Sequence, residues 1–169
     1  MGIKDFINDI KLDSLDKSKL FKMIENVNYV DAQLPYMVNG LTVWDKILFD
    51  SKQMHWLSEE KKLFVILHEL CHHLRLQKIL KRDYFKIFAT DDFELLADTI
   101  ITEEIIADRY ACFTFYLLTG NTFDKRFTQN LELSENKSRY KKMIDEYMFN
   151  KFNSEEEYFE YVDSIHTER

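Results

Sequence analysis

Two histidines four residues apart are the residues of this chain best suited to chemistry. They occur in the run His68-Glu69-Leu70-Cys71-His72, which has the HExxH pattern. Residues four apart on a helix are rotated by only about 40°, so both imidazoles can bind one Zn²⁺. Glu69 lies about 100° round from His68, beside such an ion rather than on it, which suits a general base. The pattern predicts a zinc-dependent hydrolase.

The surroundings of this motif favour a metal site over two core histidines satisfied by hydrogen bonds. Five apolar residues, 63–67, precede His68, and Ser58 followed by Glu59 is typical of a helix N-terminus. We therefore expect a buried helix from about residue 58 that carries both histidines into an apolar interior. Zinc held there would lower the pKa of a bound water to about 7, so that a carboxylate could take its proton.

A catalytic zinc site normally has a third protein ligand, and a second helical pattern offers one. In the run Glu103 to Asp108, Glu104 and Asp108 share a helix face. Glu104 could bind zinc while Asp108 accepts the second N–H of a liganding histidine and fixes its tautomer. The small Ala107 and Ala111 would let this helix approach the first closely. The alternative for this string is a solvated acidic face.

The segments around these motifs carry a family resemblance. The run Lys46 to Ser51, the run Leu57 to Lys62, the motif HELCHH and the string EIIADRYA, Glu104 to Ala111, follow one another in that order. In order and spacing, over about residues 40–118, the chain resembles the ImmA/IrrE family of gluzincin-like zinc metallopeptidases.

The resemblance implies a zinc metalloendopeptidase and assigns roles to residues. It implies His68, His72 and Glu104 as zinc ligands, Glu69 as the base and Asp108 as the group that supports a ligand. Members of the family commonly cleave or inactivate transcriptional repressors, often in phage or mobile-element switches or in stress responses. The implied partner is therefore a protein substrate such as a repressor.

Composition limits the class of protein. With 169 residues, 46% of them hydrophobic, the chain can bury one core, and we expect one metallopeptidase-like domain over residues 1–169. Its core is expected at about 40–118 and a helical C-terminal extension at about 121–169. Only three glycines and one proline favour helices over a many-stranded sandwich. A net charge of −7 argues against direct binding to nucleic acid.

The cysteines and the N-terminus indicate the compartment. Cys71 and Cys112 lie in apolar helical patterns, where a free cysteine packs as a small hydrophobe, so we expect no disulfide. The first residues carry mixed charges and no long apolar run, which predicts neither a secretion signal nor a membrane span. We expect a cytoplasmic protein that does not act on membranes.

A small sheet and two helices are predicted before the HExxH helix. Apolar residues at helical spacing predict two N-terminal helices packed on the core; they are Ile3, Phe6, Ile7 and Ile10, then Leu20, Phe21, Ile24 and Val27. Asn39-Gly40 is a turn signal, so an antiparallel sheet or hairpin is expected within residues 29–50. Its last strand, near Ile47 to Asp50, is expected to be an edge that pairs with an extended substrate.

The second half of the chain reads as helical. Residues 92–118 form a long helical pattern that leaves open a break near Asp98 to Thr102, and Gly120 is placed to end it. Two further amphipathic helices are predicted at Ser134 to Phe149 and Ser154 to Ile165. The expected fold class is α+β: a small N-terminal antiparallel sheet, a zincin-type active-site helix and a mostly helical C-terminal half.

Other polar residues fit the site less well. His73 points about 100° away from His72, His55 precedes the helix, and His166 is near the end of the chain. A donor to the oxyanion of the transition state is expected on mechanistic grounds, and the sequence does not choose among its candidates. They are Arg109, Tyr110, Tyr116 and Tyr84.

The function predicted from these features is hydrolysis of a peptide bond by zinc-bound water, with Glu69 moving the proton to the leaving amine. Two other classes stay open. A catalytically silent zinc-binding regulator would keep the ligands and sequester a protein partner without cutting it. An acidic mimic of nucleic acid would need rows of carboxylates, for which only Glu155 to Glu157 qualifies.

Overall fold

The computed structural model describes residues 1–43, 45–78 and 93–123, which form five helices and three strands. The helices are α1 (Ile3–Asp9), α2 (Lys17–Ile24), α3 (Ser51–Met54), α4 (Glu59–Lys78) and α5 (Phe93–Thr119). The strands are β1 (Asn28–Asp31), β2 (Gly40–Val43) and β3 (Lys46–Phe49). A small sheet combined with helices confirms the α+β class.

The two N-terminal helices pack on the core, as their apolar spacing predicts. Phe6 and Ile7 of α1 and Leu20 of α2 are buried. The start of α2 is tied to the far end of α5, because the backbone N–H of Asp16 donates to the carbonyl oxygen of Leu118 at 2.8 Å. The N-terminal segment therefore supports the C-terminal end of the helix that carries Glu104.

The sheet is mixed, so the prediction of an antiparallel sheet or hairpin is confirmed for the β2–β3 pair and is wrong for β1, which runs parallel to β3. Its strand order is β1-β3-β2, with β3 parallel to β1 and antiparallel to β2. The last strand is therefore the centre of the sheet, and the prediction that it is an edge open to substrate is wrong as well. Ile47 and Phe49 of β3 are buried, and a short apolar run of this kind fits the centre of a sheet as well as its edge, so the sequence could not decide the strand order.

Asn39-Gly40 is not the hairpin turn that its sequence indicates. Gly40 is the first residue of β2, and its pairing with β3 runs from Gly40–Phe49 to Val43–Lys46, so the chain does not turn at Asn39-Gly40. Glycine is needed at position 40 because a Cβ there would lie 2.7 Å from Cγ of Glu69 on α4. Gly40 is therefore needed for the close approach of β2 to α4, not for the backbone freedom that a turn requires.

Asp50 follows β3 and organises the segment before β2. Its carboxylate caps α3 by accepting hydrogen bonds from the backbone of Lys52 and Gln53, and it also accepts one from Leu34 at 3.0 Å. These donors, the Leu34 N–H first, lower the pKa of Asp50 to about 2. Asp50 is therefore a structural charge, which stabilises the end of β3 and the start of α3.

Helices α4 and α5 pack closely against each other. Ser58 caps α4 as predicted, its Oγ accepting from Lys61 N at 3.3 Å. Ala107 and Ala111 of α5 are fully buried, and Sγ of Cys71 on α4 lies 4.0 Å from the carbonyl oxygen of Ile106. Small residues at the crossing let the two helices come this close. Both cysteines are buried, as their apolar helical surroundings predict.

Helix α5 is continuous through residues 98–102, so the break that the pattern left open does not occur. It ends at Thr119, and Gly120 follows with a φ of 71°, the left-handed conformation predicted for a helix stop. Among the described helices, none has a stretch long and apolar enough to cross a membrane. The amphipathic helices predicted at 134–149 and 154–165 lie outside the described residues.

Replacing Asp50 should destabilise the fold in a pH-dependent way. Asp50→Ala leaves three backbone donors without their acceptor, so we expect the free energy of unfolding to fall by about 1–3 kcal/mol near neutral pH. Because folding depresses this pKa, the contribution of Asp50 is present above its usual pKa of 3.8 and is lost as the pH falls towards about 2.

Urea unfolding of both proteins across this pH range measures the effect. The difference between wild type and Asp50→Ala should be full near neutral pH and should close in acid. A difference that stays constant down to about pH 2 would show that the charge of Asp50 is not what stabilises the fold.

Candidate metal centre

Three side chains from α4 and α5 bring their electron-donating atoms together. Nε2 of His68 lies 3.1 Å from Nε2 of His72 and 3.1 Å from Oε2 of Glu104. Nε2 of His72 lies 2.9 Å from Oε1 of Glu104. Among the described residues, these three form the one group of histidine, cysteine and acidic side chains arranged to hold a metal ion.

The donor set fits zinc. Metal–ligand distances of about 2.0–2.1 Å in a tetrahedron separate neighbouring ligand atoms by about 3.3 Å, close to the separations seen here. Two imidazoles and one carboxylate are also the ligands of a class of catalytic zinc sites. The side chains of His68 and His72 are only 14% and 12% exposed, while Glu104 is 30% exposed, so the centre is sheltered but open on one side.

Asp108 supports the ring of His68 from behind. Its Oδ1 lies 2.8 Å from Nδ1 of His68, one helical turn beyond Glu104. A proton on Nδ1 donates to this carboxylate and leaves a lone pair on Nε2, directed at Glu104 and His72. Three electron-rich atoms this close repel one another unless a cation or a proton lies between them. The arrangement therefore calls for positive charge at its centre.

Burial and mutual charge shift the pKa values of His68, Glu104 and Asp108. Burial by itself lowers the pKa of His68, but the charge of Glu104 and the hydrogen bonds to Asp108 and Glu104 outweigh it and raise this pKa well above its usual value. For Glu104, burial is outweighed by His68 and His72, which hold its pKa far below the usual range. Burial raises the pKa of Asp108. The Glu104 carboxylate is therefore stabilised by positive charge at the centre.

An apolar wall backs the first histidine. The ring of Phe64 lies 6.1 Å from that of His68 and stacks on Phe123 with 4.3 Å between centroids. Phe123 follows the end of α5 and is buried. These rings restrict water around His68, and electrostatic attraction at the centre is correspondingly less screened.

An ion pair one turn along fixes how α4 and α5 are aligned. Nε and Nη2 of Arg75 lie 2.7 and 2.8 Å from the two carboxylate oxygens of Glu103. Arg75 is three residues after His72, and Glu103 directly precedes Glu104. This two-point contact therefore helps to set the positions of His72 on α4 and Glu104 on α5. Sequence reasoning treated Glu103 only as part of an acidic string, and the pairing was not foreseen.

Glu69 lies on α4 between the two histidines, and the sheet holds its carboxylate. Oγ1 of Thr42 on β2 lies 2.7 Å from Oε2 of Glu69 and 3.0 Å from its backbone oxygen. Tyr29 of β1 lies nearby: burial, then the charges of Tyr110 and Glu69, raise its pKa well above the usual value. Sequence reasoning missed both Thr42 and Tyr29, since nothing in their local pattern connects them with the motif.

The remaining polar candidates differ in burial and surroundings. His73 is buried with its Nδ1 unpaired, and burial lowers its pKa, while His55 is exposed and packs on Trp56. Arg109 and Tyr110 are buried on α5, and Tyr116 is exposed. His166 and Tyr84 lie outside the described residues. The structure assigns the oxyanion donor to none of these residues.

The chain matches no protein-family model, no curated protein and no solved structure. The interpretation of the centre therefore rests on its residues and their geometry.

One zinc ion per chain should bind at this centre. Elemental analysis of untagged protein after zinc reconstitution should give a stoichiometry of about one, since residues 1–43, 45–78 and 93–123 hold one such donor set. His68→Ala and Glu104→Ala should each lose most of the affinity. Asp108→Ala should lose about 10–100-fold, because it removes the group that orients a ligand. Wild-type protein that retains no metal would contradict the assignment.

The Arg75–Glu103 pair should stabilise both the fold and the centre. Arg75→Met leaves the Glu103 carboxylate unpaired in a largely buried position, so we expect the free energy of unfolding to fall by about 3 kcal/mol and zinc affinity to fall with it. Adding Glu103→Leu should restore much of the stability, because no charge is then left unpaired. Urea unfolding measures this, and equal losses in the single and double variants would contradict it.

Proposed function

We propose that this protein is a zinc metallopeptidase of the gluzincin-like, ImmA/IrrE-related type, which hydrolyses a peptide bond in a protein substrate. The observation that carries the proposal is the convergence of His68, His72 and Glu104 with 2.9–3.1 Å between donor atoms. Asp108 behind His68 and Glu69 beside the ligands complete a set whose members each have a defined part in hydrolysis.

In this proposal, some residues of the centre bind the metal ion and another transfers the proton. His68, His72 and Glu104 would hold the ion, and Asp108 would keep the His68 ring turned towards it. A bound zinc ion would lower the pKa of an attacking water and polarise the scissile carbonyl group. Glu69 would accept the proton of that water and pass it to the departing amine.

The substrate would pair with β2 rather than with β3. Within the described part of the chain, β2 pairs on one side only, with β3, and its Thr42 touches the Glu69 side chain. An extended peptide added to its open side would run past the ligands, and its backbone would supply the hydrogen bonds.

Amide exchange on a Glu69→Gln protein with a bound peptide should show protection at residues 40–43; unprotected amides there would refute this docking.

Replacing Glu69 by glutamine should abolish cleavage without loss of zinc. The amide keeps the size of the side chain but cannot take a proton, so turnover should fall by at least about 100-fold. The measurement is mass spectrometry of a proteome-derived peptide library incubated with zinc-loaded wild type or Glu69→Gln protein. Peptide ends that wild type alone generates identify the cleaved bonds.

Two outcomes would count against this function. Equal cleavage by both proteins would remove Glu69 as the base. Zinc-loaded wild type that cuts nothing in the library, yet captures one protein in a stable complex, would support the alternative of a silent zinc-binding regulator. Matched zinc contents and melting curves are the controls for both comparisons.

A further inference from the structure

We propose that strand β2 is the positioning element of the general base: Thr42 anchors one carboxylate oxygen of Glu69, and the missing side chain of Gly40 makes room for its Cγ. The inference rests on the proposed function, in which Glu69 moves a proton, and adds to it two residues outside the HExxH and ExxAD motifs. Thr42 and Gly40 act only through Glu69: neither is a proposed zinc ligand, and neither carries the transferred proton.

The hydroxyl of Thr42 makes an asymmetric contact with Glu69. Its Oγ1 is 2.7 Å from Oε2 and 3.0 Å from the backbone oxygen of the same residue. A hydroxyl group has one proton, and the charged oxygen at the shorter distance takes the larger share of it. One carboxylate oxygen is thereby held by β2, and Oε1 is left to accept a proton from elsewhere.

Gly40 sets the distance between the strand and the helix. A Cβ at this position would lie 2.7 Å from Cγ of Glu69 and 3.2 Å from Cγ1 of Val65. The first distance is a clash that only movement of the Glu69 side chain could relieve. Residues two apart on a strand share a face, so Gly40 and Thr42 act on Glu69 from the same side of β2.

Together the two contacts restrict a flexible side chain. Glutamate has several rotatable bonds, and a base that samples many rotamers spends little time in reach of its proton. The hydrogen bond fixes the end of the Glu69 side chain, and the backbone of Gly40 limits its middle. Thr42 suits this part because its branched Cβ restricts its own rotamers on the strand.

A binding measurement that needs no turnover tests the proposal. The protein is loaded with Co²⁺, and acetohydroxamate is titrated in at neutral pH while the visible absorption of the metal is followed. A hydroxamate chelates the metal and gives its hydroxyl proton to a neighbouring carboxylate, so its affinity reports where the Glu69 carboxylate lies. The variants are Thr42→Val, Thr42→Ser and Gly40→Ala. Glu69→Gln is the reference, and Leu41→Thr, on the opposite face of β2, is the matched control.

The expected order of affinities is specific to positioning. Thr42→Val should bind acetohydroxamate about tenfold more weakly, the usual effect of losing a hydrogen bond to a charged group, and Gly40→Ala should also bind more weakly. Thr42→Ser keeps the hydroxyl, so it and Leu41→Thr should stay within about twofold of wild type. Co²⁺ content should be the same in all of them, because no ligand is changed.

Each other result overturns the proposal at an identifiable point. Wild-type affinity in either Thr42→Val or Gly40→Ala, with Glu69→Gln weakened, removes β2 as the positioning element and leaves the peptidase intact. Equal weakening in Leu41→Thr means that β2 is merely loosened, which overturns it as well. Wild type that takes up no Co²⁺, or Glu69→Gln that binds acetohydroxamate like wild type, removes the proposed function and this inference with it.

Discussion

The contact between α4 and α5 is the interaction on which the rest of this structure depends. It places two imidazoles and a carboxylate within about 3 Å of one another in a largely buried position. Lone pairs held this close repel, and they have little water to relieve the repulsion. The packing is possible because alanines and a cysteine occupy the crossing. Apolar burial therefore provides the free energy that brings these donor atoms together, and the proposed zinc ion would relieve the repulsion between their lone pairs.

Two further contacts turn this crossing into a defined site. The Arg75–Glu103 pair sets the alignment of the helices along their axes, so Glu104 meets the histidines rather than passing them. Asp108 sets the rotation of the His68 ring. The end of α5 is fixed separately, by Asp16 N–H on the Leu118 carbonyl oxygen and by Asn121 on Ser14. Different residues therefore set the alignment of the two helices, the rotation of the His68 ring and the position of the end of α5.

The sheet contributes through its contact with α4 rather than through its size. Its central strand, β3, carries the buried Ile47 and Phe49, and this leaves β2 at the side where Glu69 lies. The strand can approach the helix only because Gly40 has no side chain. Within the described residues, a three-stranded sheet of four-residue strands is therefore sufficient to hold the Glu69 side chain in one place and to leave one side of β2 open next to it.

Local pattern determined those parts of the protein in which the information lies within one helix. The HExxH spacing, the Ser58 cap, the Gly120 stop and the apolar stripes of α1 and α2 all depend on residues three or four apart, and the structure has each of these elements where the sequence places it. The spacing also put Glu104 and Asp108 on one face of α5. Their roles as ligand and support remain predictions, but their positions beside His68 agree with that face.

Only the tertiary structure decided what depends on contacts between distant segments. Strand order and direction cannot be read from strands of four residues, because a short apolar run fits equally well at the centre or the edge of a sheet. Asn39-Gly40 was therefore interpreted as a turn, whereas Gly40 serves the packing of β2 on α4. Thr42 is 27 positions from Glu69 and Arg75 is 28 from Glu103, and nothing in a local pattern links such pairs. Helical spacing in the sequence identifies the residues of the candidate site, but the packing of α4 between β2 and α5 sets their geometry.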